Sequence, residues 1–194
     1  MQLPRAPKMK IKNIYSESTR CFCLTESRQT LIPELDKLAK ANKISAMIIG
    51  AAAMPKYNYI RSTEDIDIIT TADDAYKFGD LLNATGQFEF IGHSKFKHVK
   101  TGLDVNFCPE GVKAGDTTFP KQETNAPGLN YVSLPLLLAL KIKAKRLRDR
   151  ADYVELIKRN HLDLEYINEN VLPLLNKTDA KWAITFWNKA QKEL

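Results

Sequence analysis

In the run Arg61-Ser62-Thr63-Glu64-Asp65-Ile66-Asp67, two aspartates stand two residues apart. With Ile66, Ile68 and Ile69 read as a strand, side chains at i and i+2 leave one face, about 6.6–7 Å apart at Cα. Two carboxylates so placed can share hard divalent cations, and oxygen ligands are what Mg²⁺ takes. Such a cluster can hold a triphosphate and activate an attacking oxygen in the two-metal arrangement. Twelve aspartates in 194 residues make roughly one D-x-D expected by chance, so the pair needs context.

Two further residues supply context. An apolar run, Ile44 to Ile49, ends in Gly50 about fifteen residues before the acids. A glycine there lets the backbone approach a phosphate closely, and a helix start over Ala51 to Met54 offers its N–H groups. Downstream, Asp104 lies between Leu103 and Val105, so in a strand its carboxylate points away from both. If the two acid-bearing strands are neighbours, Asp104 is a third metal ligand.

The elements that must position these residues follow from periodicity. A helix is expected from Leu31 to about Asn42, with Leu35, Leu38 and Ala39 on one side. Strands are expected over 44–49 and around Ile66–Ile69. A helix capped by Asp73 should run to Asn83, followed by strands over 87–92, 95–100 and 103–107. Residues 109–130 carry Pro, Gly, Thr and Asn and read as a long loop. From Ser133 onward the pattern is helical, with Leu140, Ala144, Leu147, Ala151 and Val154 as a core-facing stripe. Two more helices fit about 163–175 and 178–193. The fold class is α+β: a mixed sheet flanked by helices, followed by a C-terminal helical bundle. The divisions are a basic arm (1–28), an α/β domain (29–130) and a helical region (131–194).

The runs Met47-Ile48-Ile49-Gly50-Ala51-Ala52-Ala53 and Arg61 to Asp67 resemble the G-G/S … R-x-T-x-D-[IL]-D signature of polymerase-β-like nucleotidyltransferases. Within that superfamily the likeness is to the abortive-infection (AbiE-type) toxin group. Leu140 to Asp152 is similar to that group's L-K-x-x-A-x-R-x-[KR]-D-x-x-D segment. The resemblance spans about residues 31–175 and implies the nucleotidyltransferase fold. It implies that Gly50 and Ala51 cradle the β- and γ-phosphates of an NTP such as ATP. Asp65 and Asp67 would bind two Mg²⁺ ions, and Asp104 the catalytic one. Lys141 would neutralise triphosphate charge, Arg148 and Asp152 would complete the later motif, and Asp149 would orient the acceptor. Arg61, with Thr63 beside it, would support the metal loop or contact phosphate. The usual second glycine or serine is Ala51 here, which keeps the backbone N–H but lacks a serine hydroxyl.

The implied reaction is attack of an acceptor on the α-phosphate, with pyrophosphate leaving. RNA, tRNA 3′ ends included, is the acceptor of the toxin-like form, and an antitoxin would be its partner. An antibiotic-modifying nucleotidyltransferase is a second option, although a cationic acceptor wants an acidic pocket and this chain is basic. A third is a catalytically inactive nucleic-acid-binding or scaffolding module. Lys141, Lys145, Arg148 and Asp152 share a face if their helix is unbroken; alternatively Asp149 begins a new helix, with Arg146–Arg148 in the turn.

A net charge of +6 and a pI near 9.1 suit a polyanionic partner such as RNA, and equally an enzyme of nucleoside triphosphates. No apolar run approaches the roughly 20 residues of a membrane span. The basic N-terminus lacks a secretory h-region, so a cytoplasmic protein is expected. Cys21, Cys23 and Cys108 lack zinc-site spacing and read as free thiols, and His93, His98 and His161 are scattered.

Overall fold

A computed structural model describes residues 30–114 and 117–193; the arm over 1–28, with Cys21 and Cys23, lies outside the described residues. Helix α1 spans 30–41 and buries Leu31, Leu35 and Ala39, spaced one turn apart. Strand β1 (Ser45–Ile49) follows, and the chain turns at Gly50 into α2 (Gly50–Ala53) and a 3₁₀ turn (Met54–Tyr57). Strand β2 (Asp65–Thr70) returns antiparallel to β1, pairing Ile49 with Asp67.

Helix α3 (Ala72–Ala84) starts two residues earlier than its acidic residues suggested. Thr71 has the extended backbone that a cap needs, and its hydroxyl accepts the Asp74 N–H; Asp73 is already inside the first turn. Strands β3 (Phe88–Gly92), β4 (Lys95–His98) and β5 (Asp104–Pro109) form an antiparallel meander, and β5 lies parallel beside β2.

The expected loop over 109–130 needs correction. It holds a two-stranded antiparallel pair, β6 (Lys113–Ala114) and β7 (Thr117–Thr118). Beyond them β8 (Gly128–Tyr131) adds to the sheet parallel to β1, giving the order β3-β4-β5-β2-β1-β8. Four residues are too few to show alternation, and β8 is held by distant groups: the Leu129 N–H donates to Asp36 Oδ1 at 2.9 Å. Gly128, at φ +114°, is where a Cβ would stand 2.7 Å from that same oxygen.

Alternation fixes the faces of the sheet. Ile66, Ile68, Val105 and Phe107 are buried on one side, where Phe107 meets Phe78 of α3 at 5.2 Å between ring centroids. Asp65, Asp67, Asp104 and Asn106 therefore occupy the other side.

The helical region is α4 (Leu134–Lys143), α5 (Leu147–Arg159), α6 (Leu164–Tyr166), a π turn (Ile167–Val171), a 3₁₀ turn (Leu172–Leu174) and α7 (Lys177–Lys192). Ser133 caps α4 as expected, accepting the Leu136 N–H. The continuous stripe does not form. The chain breaks between α4 and α5, with Lys145 at φ +58°, Leu147 is 81% exposed and Ala151 is exposed. Of the expected stripe on α5 only Val154 is buried, and Asp149, Asp152, Tyr153, Leu156 and Ile157 complete the buried face of the helix. The helix over 163–175 is irregular because Pro173 has no N–H to continue the α pattern. One apolar core runs from Leu31 to Ala190 and joins sheet and helices. Among the described residues no helix is long and apolar enough to cross a membrane.

Candidate functional site

Parallel pairing of β2 with β5 sets Asp65 directly opposite Asp104 and Asp67 opposite Asn106. Neighbouring strands lie about 4.8 Å apart, so the three carboxylates share one small patch of one face. Each is restrained by a different neighbour. The Thr63 hydroxyl donates to Asp65 Oδ1. The Asn106 amide donates to Asp67 Oδ1 at 2.8 Å. Asp104 meets Lys95 Nζ at 2.8 Å and Lys97 Nζ at 3.8 Å, both from β4.

Gly50 lies directly against this patch. Its φ is +66°, and a Cβ there would stand 2.9 Å from Asp67 Oδ2. The glycine is needed both for the turn and to admit the carboxylate, and it brings the β1–α2 backbone against Asp67. Burial and then the Asp65 charge raise the Asp67 carboxyl above its ordinary value, against the opposing Asn106 hydrogen bond. The nearby Cys108 thiol is pushed up to about 12, first by burial and then by Asp67 and Asp65, so it stays neutral at physiological pH.

A cleft of about 510 Å³ opens over Asp67 and Gly50. Its far wall is the end of α4 and the joint to α5, contributing Leu137, Leu140, Lys141, Lys143, Lys145 and Arg146. Ala144 and Asp149 belong to the same wall, and Phe119, Ile49 and Cys108 complete the cleft. An acidic floor thus faces a basic wall across a partly apolar slot.

No protein-family model and no curated protein matches the chain.

The joint itself is explained by a buried ion cluster. Lys141, 4% exposed, donates to Asp149 Oδ1 at 2.9 Å and to Asp152 Oδ2 at 2.7 Å. In one straight helix these partners would lie about 12 and 16 Å along the axis from Lys141, beyond reach of its side chain. Folding back at Ala144–Arg146 is what lets the contacts form, and it ends the expected common face of Lys141, Lys145, Arg148 and Asp152. Arg146 Nε also donates to Asp149. Burial pushes the Asp149 carboxyl up, but the hydrogen bonds from Arg146 and Lys141 outweigh it and hold the group below its ordinary value. Arg61 closes the cluster from the β2 approach, with Nε 3.0 Å from Asp152 Oδ1 and Nη2 donating to Oδ2 at 3.2 Å.

Of the residues expected from sequence, Gly50, Asp67, Lys141 and Asp149 line the cleft, and Asp65, Thr63 and Asp104 adjoin its floor. Ala51 is buried beneath the turn. Arg61 is tied to Asp152, and Arg148 is exposed on α5 and does not line the cleft. Sequence reasoning missed Asn106, Arg146, Lys95 and Lys97 as site neighbours. The alternation Lys95-Phe96-Lys97 opposite Asp104-Val105-Asn106 was the available signal.

Oxygen donors for a hard cation are present. Asp104 Oδ1 and Asn106 Oδ1 are buried without a hydrogen-bond partner, beside Asp65 and Asp67. Among the described residues no three Asp, Glu, His or Cys side chains already converge as a metal cage. The fit is one of donor chemistry and placement, with Lys95 compensating Asp104.

Proposed function

We propose that this chain is a Mg²⁺-dependent nucleotidyltransferase of the nucleotidyltransferase fold, moving NMP from an NTP to an acceptor. The observation that carries the reading is the in-register pairing of Asp65 with Asp104, with Asp67 packed on Gly50 below a basic wall. Asp65, Asp67 and Asp104 would hold the cations. Bound Mg²⁺ supplies charge neutralisation on the phosphates and a lowered pKa for the attacking hydroxyl.

The chain's own residues do the rest. Lys143, Lys145 and Arg146 bind the polyphosphate, and the Gly50 turn lets it lie close to the backbone. Leu140 and Phe119 take the base or sugar and exclude water. Lys141 acts through position: its bonds to Asp149 and Asp152 set the joint and thereby aim Arg146. The acceptor oxygen attacks the α-phosphorus, the bond to the β-phosphate oxygen breaks and pyrophosphate leaves. Asp104 Oδ1, which accepts no hydrogen bond and has Lys97 Nζ 3.8 Å away, would take the hydroxyl proton. Positioning and electrostatics carry the rate.

The Lys95–Asp104 ion pair favours a second reading, a module of this fold that has lost turnover and only binds nucleic acid. Calorimetric titration with each NTP separates the two. The transferase binds NTP only with Mg²⁺, and Asp65→Ala/Asp67→Ala abolishes that binding; a module that only binds RNA is indifferent to both.

A further inference from the structure

Beside the cleft, α5 and α7 present a group of side chains that the transfer chemistry leaves unused. Trp182 and Phe186, one turn apart on α7, have rings 5.8 Å apart and inclined by 17°. The Arg150 guanidinium lies 4.9 Å from the Trp182 centroid and 5.7 Å from that of Phe186. Trp182 is 44% exposed, and Leu147, one turn before Arg150 on α5, is 81% exposed.

The location selects the ligand. Arg146, in the cleft wall, precedes Arg150 by one helical turn, about 6 Å along the axis. Lys145, Arg146, Arg148 and Arg150 fall within six residues, in a chain of net charge +6. Aromatic rings and guanidinium planes beside a cationic track are the surfaces on which unstacked bases lie while their phosphates are neutralised. We infer that Leu147, Arg150, Trp182 and Phe186 form a stacking platform for the end of a single-stranded oligonucleotide, which runs past Arg146 into the cleft. This names the acceptor class of the proposed transfer. It rests on that reading for the direction of the strand but not for the binding itself.

Fluorescence anisotropy with a short labelled RNA, the same sequence as DNA, and the duplex tests it. The single strands bind and the duplex binds more weakly; a stronger RNA arm assigns the sugar. Trp182→Ala weakens single-strand binding roughly 5- to 150-fold with an unchanged melting temperature. Trp182→Phe keeps the affinity within about threefold and loses the tryptophan quenching that binding causes, although Trp187 remains. Unchanged affinity in Trp182→Ala, or quenching that persists in Trp182→Phe, overturns the platform. So does a lack of affinity for any oligonucleotide. Trp182-dependent binding without transfer of any nucleotide removes the transfer reading alone; transfer that is indifferent to Trp182→Ala removes the platform alone.

Discussion

At Asp67, burial and the neighbouring Asp65 both work against the charged carboxylate. It is packed on Gly50, faces the Asp65 charge and is compensated by one amide and more distant cations. Asp67→Asn keeps an oxygen for Asn106 and removes the repulsion, so without divalent cation the variant melts a few degrees higher than wild type. Added Mg²⁺ or Mn²⁺ raises the melting temperature of wild type and leaves the variant unmoved. Equal cation shifts in both proteins would deny Asp67 a role as ligand. Lys95 provides the complementary experiment. Its half-exposed bond to Asp104 competes with a cation for the same carboxylate, and such a pair is worth roughly 0.2–1 kcal/mol. Lys95→Gln therefore tightens Mn²⁺ binding about 1.5- to 5-fold in calorimetric titration. Weaker binding in Lys95→Gln would make Lys95 part of the site and not a competitor.

Among the elements, the α4–α5 joint separates the two sequence expectations: the unbroken helix fails, and the break given as its alternative forms. Arg146 caps α5, and Asp149 is already inside its first turn. The reason the break is hard to read is physical. The apolar residues Leu140, Ala144 and Leu147 keep helical spacing straight through it, with no glycine or proline to announce a break. What bends the chain is a lysine eight residues before one aspartate and eleven before another, a contact available only if the helix folds back. Removing the cation leaves two buried carboxylates, and Lys141→Met costs about 3–5 kcal/mol in urea unfolding. Adding Asp149→Asn recovers part of that loss. The pH dependence has a definite sign. The folded-state value of Asp149 is depressed, so its stabilisation is complete above the ordinary aspartate pKa of about 3.9 and is lost as pH falls through the lower folded value. The stability difference between wild type and Asp149→Asn is thus level from pH 7 to 5 and shrinks in stronger acid. A difference that grows on acidification would place that carboxylate outside the cluster.

At the scale of the whole molecule, the sequence disclosed what is written in short periods and little of what depends on distant pairing. The runs Ser45–Ile49 and Asp65–Thr70 and the meander from Phe88 to Pro109 were legible because apolar residues there are dense and bounded by turns. Asp65, Asp67 and Asp104 were legible as a set, and the parallel β2–β5 register places the first opposite the last. β8 was hidden in a Pro- and Asn-rich stretch, since its order comes from β1 and Asp36, about eighty and ninety residues away in sequence. Arg146 was hidden because its place in the wall depends on the joint. The molecule thus sets an acidic sheet face against a cationic helix joint, with a single core between them. The most direct test of nucleotidyl transfer is to incubate the chain with Mg²⁺, total RNA and each NTP labelled in turn at the α- or γ-phosphate. A nucleotidyltransferase fixes α-label from at least one NTP to RNA while γ-label leaves as pyrophosphate, and Asp65→Ala/Asp67→Ala abolishes both. No fixed α-label with any nucleotide, or undiminished label in the double variant, would contradict it.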